Sequence, residues 1–277
     1  MLNNSGGINL KWKFGVGIII TFILMAIFAP FLTKYKPNQT VDLPYQPPSN
    51  EHPLGTDRMG RDILSQVFYG ARLSLTIGIS TGLIMTTIAT VIGLISGYYG
   101  GLVDRILSTL TDIFLVIPGL PLMIVISSYM RVRGPLMVIL VIAFTSWGSG
   151  ARMIRSQMLS LKNREFVMAS KIIGERNLYI IFSEVLPNML SLIASIFFSS
   201  VLYAIIGEAS LSFLGLSDVS KITWGTMLYW AQNANALLNG MWYWVLAPGL
   251  CIVLLGTAFA LISFSVDEIN NPRLRSR

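Results

Sequence analysis

Apolar residues in this chain come in long unbroken runs, not in the alternation of a half-buried strand or the stripe of a surface helix. Residues 14–33, 73–103, 113–130, 185–207 and 222–266 contain no Asp, Glu, Lys or Arg. A hydrocarbon layer about 30 Å thick is crossed by about 20 helical residues, so each run is near or above the length needed to span. A transmembrane barrel would show strands of about ten residues with alternating polarity, whereas the segments 91–97 and 138–144 stay apolar on all sides. The pattern predicts an all-α membrane protein with six transmembrane helices, at 12–33, 73–98, 106–130, 135–153, 189–211 and 243–266. The first run follows Lys11 and Lys13 as a signal sequence would. It is too long for an h-region, and Ala26 and Ala29 lack A-x-A spacing, so it reads as an uncleaved span.

The intervening segments differ in character. Residues 34–72 carry Pro37, Pro44, Pro47, Pro48 and Pro53, which block regular helix and predict an extended external segment with turns. Residues 154–188 instead show a broken amphipathic pattern, Met158, Leu159 and Leu161 leading to Phe166, Val167, Ile172 and Ile173. Short helices at the cytoplasmic face are expected there, too charged to span. The chain thus divides into a cytoplasmic N-terminus with the first helix (1–34), a proline-rich external segment (35–72), a transmembrane core (73–266) and a cytoplasmic tail (267–277).

Composition agrees. Of 277 residues 53% are hydrophobic and only 12% charged, against about 25% charged in an average soluble domain. The net charge of +7 does not point to nucleic acid, because the basic residues cluster at the ends of apolar runs and not along one face. Arg105, Arg152, Arg155, Lys162, Arg164, Lys171 and Arg176 all fall on the side shared with both termini, which favours cytoplasmic termini in a cell membrane. With one cysteine, Cys251, and one histidine, His52, neither a disulfide framework nor a zinc site of ordinary His/Cys type is expected.

No HExxH, GxSxG or G-x4-GK[ST] motif occurs, so the chain is not expected to bind a cofactor or hydrolyse ATP itself. Two acids stand in or beside apolar runs, Asp112 and Glu208. Each either pairs with Arg105, Arg131 or a neighbour's cation to fix packing, or serves proton coupling, as in a secondary transporter. In the second run Gly78, Gly82, Gly93 and Gly97 fall at helical angles of about 0°, 40°, 60° and 100°, a ridge that Ser74 and Ala89 extend. Such a ridge lets another helix approach closely, within the chain or across to another subunit. The aromatics Trp224, Tyr229, Trp230, Trp242, Tyr243 and Trp244 are expected mostly in an interfacial belt, and His52 in a structural or solvated turn.

Most informative is the stretch from Arg164 to Asn188. Small Ala169 and Ser170 precede Gly174, which can end a helix at positive φ, and Leu186 and Pro187 lead into the fifth span. A short exposed helix with small residues reads as a docking element. This stretch resembles the EAA loop of ATP-binding-cassette importer permeases, E-A-A, three residues, G, nine residues, I-x-L-P. Ala169, Gly174, Leu186 and Pro187 match at the right spacing, while Met168, Ser170 and Glu184 depart from it. Further segments, HPLGTDRMGRD from His52, YGARLSL from Tyr69, GYYGGLVD from Gly97, LSFLGL from Leu211 and TWGTML from Thr223, resemble the second permease subunit of dipeptide, oligopeptide and nickel importers.

The resemblance implies a type I importer permease fold and a subunit forming half of a translocation path. The implied partners are a homologous second permease, two ATP-binding subunits that carry ATP and Mg, an external solute-binding protein and membrane lipid. It also implies that Glu165 to Tyr179 form the coupling helix seated in an ATPase cleft. Cargoes in the resembled family are peptides, nickel complexes, glutathione and oligosaccharides.

Overall fold

The structure is a computed structural model describing residues 10–270, with side chains described to Val266. The expected cytoplasmic N-terminus before residue 10 and the tail from residue 271 lie outside the described residues. Helices dominate. They are α1 (Leu10–Leu32), α2 (Ile63–Tyr99), α3 (Gly101–Val116), α4 (Gly119–Tyr129), α5 (Pro135–Ser146), α6 (Gly148–Leu161), α7 (Glu165–Ile173), a turn α8 (Asn177–Tyr179), α9 (Leu190–Phe213), α10 (Trp224–Asn233) and α11 (Trp242–Asn270). Among the described residues there is no strand, only the isolated bridges Thr40–Arg61 and Thr56–Asp62.

α1, α2, α11 and the continuous helical stretch Asn177–Phe213 that ends in α9 are apolar and long enough to span unbroken, and two further candidate spans are bent pairs, α3–α4 at 89° and α5–α6 at 45°. The six expected runs are all present, two of them broken. The first break has a local cause: Pro118 lacks an amide hydrogen and holds Ile117 in extended backbone, so the α3 ladder stops there. α2 begins at Ile63, not residue 73. Asp62 caps it, accepting from the amide of Ser65 at 2.7 Å, and Arg72 is accommodated by donating to the Ala26 and Ile27 carbonyls of α1. An arginine in an apolar context had masked the first turns.

α2 is the axis of the bundle. One core cluster joins its first turns to α1, α9, α10 and α11, a second joins its last turns to α6 and the α7–α9 connection, and a third joins its middle to α4, α5 and α9. The glycine ridge makes this possible. A Cβ at Gly78 or Gly82 would stand 2.6 and 2.5 Å from side-chain carbons of Ile205 and Val201 on α9; at Gly93 or Gly97 it would collide with Ile154 and Met158 on α6. The ridge is therefore filled by this chain's own helices, the first of the two uses its spacing allows.

The aromatic residues also depart from expectation. Trp224 and Trp244 are fully buried and Tyr243 nearly so, while Trp242 is 59% exposed. Trp224 donates from Nε1 to the Val67 carbonyl and meets Phe22 edge-on. Trp224, Tyr243 and Trp244 are core, not belt, because α10 folds back between α2, α9 and α11 and buries its apolar face there.

Candidate functional site

The segment following α6 is built as a projecting helix. Gly174 ends α7 in the left-handed region at φ 89°, and the amide of Glu175 closes on the Ser170 carbonyl. Only Val167 of α7 is buried. Phe166, Met168, Ile172 and Ile173 remain exposed, the last two by 86% and 78%, and Ala169 and Glu165 are exposed beside them. A Cβ at Gly174 would meet nothing within 4 Å. The connection back to the bundle is anchored by the Tyr98 hydroxyl donating to Asn177 at 2.8 Å, with Lys171 over the Tyr98 ring. A π-helical turn (Ile180–Val185) and a 3-10 turn (Leu186–Met189) then lead into α9, with Leu186 half-buried and Pro187 exposed. Proline at the second position of the 3-10 turn sacrifices no needed amide.

Behind this helix lies a charged layer that sequence reasoning missed in part. Asp104 on α3 accepts from Nε and Nη2 of Arg155 on α6 and from the hydroxyls of Ser96 on α2 and Ser108 on α3. Asp112 pairs with Arg152, not with Arg105 or Arg131, and both side chains are more than half exposed. It is therefore a paired charge at the surface of this chain and not one isolated in the bundle. The GYYGGLVD segment held the signal for Asp104, but its partner lies 51 residues on, out of reach of spacing arguments.

Glu208 has the opposite setting. It is 2% exposed, and among the described residues it meets no cation; one carboxylate oxygen accepts from Ser212 and from Thr223, each at 2.7 Å. The Thr223 bond ties α9 to the cap of α10, so hydroxyls supply what a cation was expected to supply. In the adjoining loop the side chain and amide of Ser220 donate to Asp218, which holds that carboxyl below its usual range.

A cavity of about 410 Å3 opens where both bent pairs break, flanked by Ile117 and Gly119 on one side and Ser146 to Gly150 on the other, with Ser195, Ser199, Ser200 and Tyr203 of α9 opposite. None of its lining residues is ionisable except Tyr203. At the α3–α4 break a Cβ on Gly119 would lie 2.7 Å from the Tyr203 hydroxyl, so the ring covers bare backbone there.

At the opposite end of the bundle from α7, the proline-rich segment is ordered around two carboxylates. Asp57, fully buried, accepts from the Met59 and Arg61 amides, from Arg61 Nε and from Gln66 Nε2. His52 is 2% exposed, its Nδ1 3.0 Å from Asp62 and its ring against Tyr35. The role is structural, and a solvated turn is excluded. Arg58 lies over the Trp230 ring at 3.7 Å, joining this cap to α10.

Residues 89–276 match the family described as binding-protein-dependent transport system inner membrane component, and residues 13–48 match the N-terminal TM domain of oligopeptide transport permease C. The chain is 35% identical to the oligopeptide transport system permease protein OppC of Bacillus subtilis (strain 168), over 94% of this chain and 85% of that protein. It is 37% identical to the dipeptide transport system permease protein DppC of Alkalihalophilus pseudofirmus, over 95% and 86%. It is 32% identical to the glutathione transport system permease protein GsiD of Pectobacterium atrosepticum, over 93% and 85%. Among solved structures it resembles the inward-facing MetNI methionine ABC transporter, with a TM-score of 0.58 at 19% identity, covering 78% of this chain and 98% of the other.

Proposed function

From the premise that this chain belongs to the binding-protein-dependent transport system inner membrane component family, and is a permease subunit of an ABC importer, we propose that it forms half of a peptide translocation path and couples to an ATPase through α7. The observation that carries the coupling is α7 itself. A helix that buries Val167 alone and leaves Ile172 and Ile173 exposed beside a left-handed Gly174 is unfinished in isolation, and an apolar cleft of a partner would complete it.

On this reading Glu165, Ala169, Ser170 and Gly174 face the ATPase, and Leu186 and Pro187 hold the return into α9. The α7 end is cytoplasmic, with both termini, and the cap at 33–62 faces the external solute-binding protein. Closure of two ATPases around ATP and Mg draws two coupling helices together, and the motion passes from α7 into α6 and α2. The charged layer suits that path, since Arg155 of α6 is bound to Asp104 beside the last turn of α2. This chain supplies no ATP site in the scheme; hydrolysis belongs to separate subunits. The similarity of most of the chain to oligopeptide and dipeptide permeases supports peptides as cargo over oligosaccharides or nickel complexes.

The test is uptake into sealed vesicles carrying the whole importer. ATP with the binding protein is expected to drive peptide uptake, and Ile172→Asp is expected to abolish it while the purified subunit keeps its melting temperature. Uptake driven by a proton gradient without ATP would overturn the importer mechanism; undiminished ATP-driven uptake by the variant would overturn the role of α7.

A further inference from the structure

The central cavity carries information about the solute itself, an inference that rests on the translocation reading above. Three observations converge. No carboxylate, amine, guanidinium or imidazole lines it. Three of its seven lining hydroxyls, those of Ser149, Ser200 and Tyr203, have no hydrogen-bond partner among the described residues, although Ser200 is only 8% exposed, while Thr145, Ser146, Ser195 and Ser199 are bonded within the chain. Finally, it sits at the breaks in both bent helix pairs, where helix ends leave backbone amides and carbonyls without intrahelical partners.

We propose that this cavity is an uncharged subsite holding a neutral, hydrogen-bonding stretch of the passing solute, namely the amide backbone of a peptide between its charged ends. A charge brought here would lose hydration with no counter-charge to replace it, whereas an amide exchanges its waters for the Ser149, Ser200 and Tyr203 hydroxyls. The apolar walls between those hydroxyls, Met85, Phe114 and Met153, suit side chains flanking a spaced series of amides; a sugar would present polar groups on every edge. The volume of about 410 Å3 in this chain alone lies within the range of small-ligand pockets, about 300–1,000 Å3.

The experiment reconstitutes the whole importer with its binding protein and compares uptake of two blocked tetrapeptides, one with an internal Lys and one with an internal Glu, each corrected for its affinity for the binding protein. The unmodified importer is expected to move both at similar rates. Ser149→Asp, at an exposed cavity position, is expected to shift the ratio about tenfold or more toward the Lys peptide, the effect of one charge in a low-dielectric wall. Ser200→Asp should shift it likewise, and Ser149→Lys should reverse it. An unchanged ratio in both Asp variants that still transport would overturn the subsite while leaving the importer reading intact. Failure of the unmodified importer to move any peptide would overturn the reading on which it rests. A neutral oligosaccharide forms the last arm: sugar uptake without peptide uptake would overturn the amide assignment, and peptide uptake without sugar uptake supports it.

Discussion

Asp104 and Arg155 form a two-point ion pair, Nε to Oδ1 at 2.6 Å and Nη2 to Oδ2 at 2.7 Å, that joins α3 to α6 where the last turn of α2 also arrives. Arg155 is about a third exposed, so the pair is only partly desolvated. Asp104→Ala strands the guanidinium and two serine hydroxyls and is expected to cost about 2–3 kcal/mol. Asp104→Asn, which keeps an acceptor for the hydroxyls, should cost less. Thermal unfolding in detergent measures both; equal melting temperatures for Ala and Asn would show that the hydroxyl bonds carry nothing.

Gly82 packs directly on the backbone of α9. A Cβ there would stand 2.5 Å from Val201 Cγ2 and 3.0 Å from the Val201 backbone nitrogen, and backbone cannot swing aside as a side-chain tip does. Gly82→Leu is expected to destabilise by at least about 1–3 kcal/mol through overpacking. Gly17 on α1 has nothing within 4 Å of its Cβ position, so Gly17→Leu is the matched control and should not lower the melting temperature.

The buried and exposed tryptophans offer a sharp contrast. Trp224→Ala removes a fully buried ring and its bond to the Val67 carbonyl, and is expected to cost about 3–5 kcal/mol. Trp224→Phe keeps most of the contact with Phe22 and should lose about 1–2 kcal/mol with the Nε1 bond. Trp242→Ala, at a largely exposed position, should stay within about 0.5 kcal/mol. Similar losses for Trp224→Ala and Trp242→Ala would contradict the core assignment.

Asp57 organises the cap at 33–62 by accepting four hydrogen bonds with no exposure to solvent. Asp57→Ala leaves two backbone amides, Arg61 and Gln66 without their acceptor. The expected outcome is selective loosening of this segment, read as protease cleavage between residues 40 and 60 while α7 accessibility is unchanged. A cleavage pattern identical to that of the unmodified protein would show that the segment is held by other contacts.

Hydropathy and a few spaced residues determined a great deal alone. Span-length apolar runs specify helices because backbone groups in hydrocarbon must be satisfied within their own segment, and that requirement is local. The stop at Gly174 was legible for the same reason, since φ is a property of a single residue, whereas the expected restart at Pro187 did not occur: the helical backbone runs on from Asn177 through a π-helical and a 3-10 turn into α9. Partner choice was not local. Asp112 met Arg152 instead of Arg105 or Arg131, Glu208 met hydroxyls instead of a cation, and the aromatic loop turned inward as core. Each of those outcomes depended on which helix faces α2, and the glycine ridge that permits close approach does not name the helix that makes it. Tertiary packing alone decided that α9 takes Gly78 and Gly82 while α6 takes Gly93 and Gly97, and with that choice placed the neutral cavity between two broken helices.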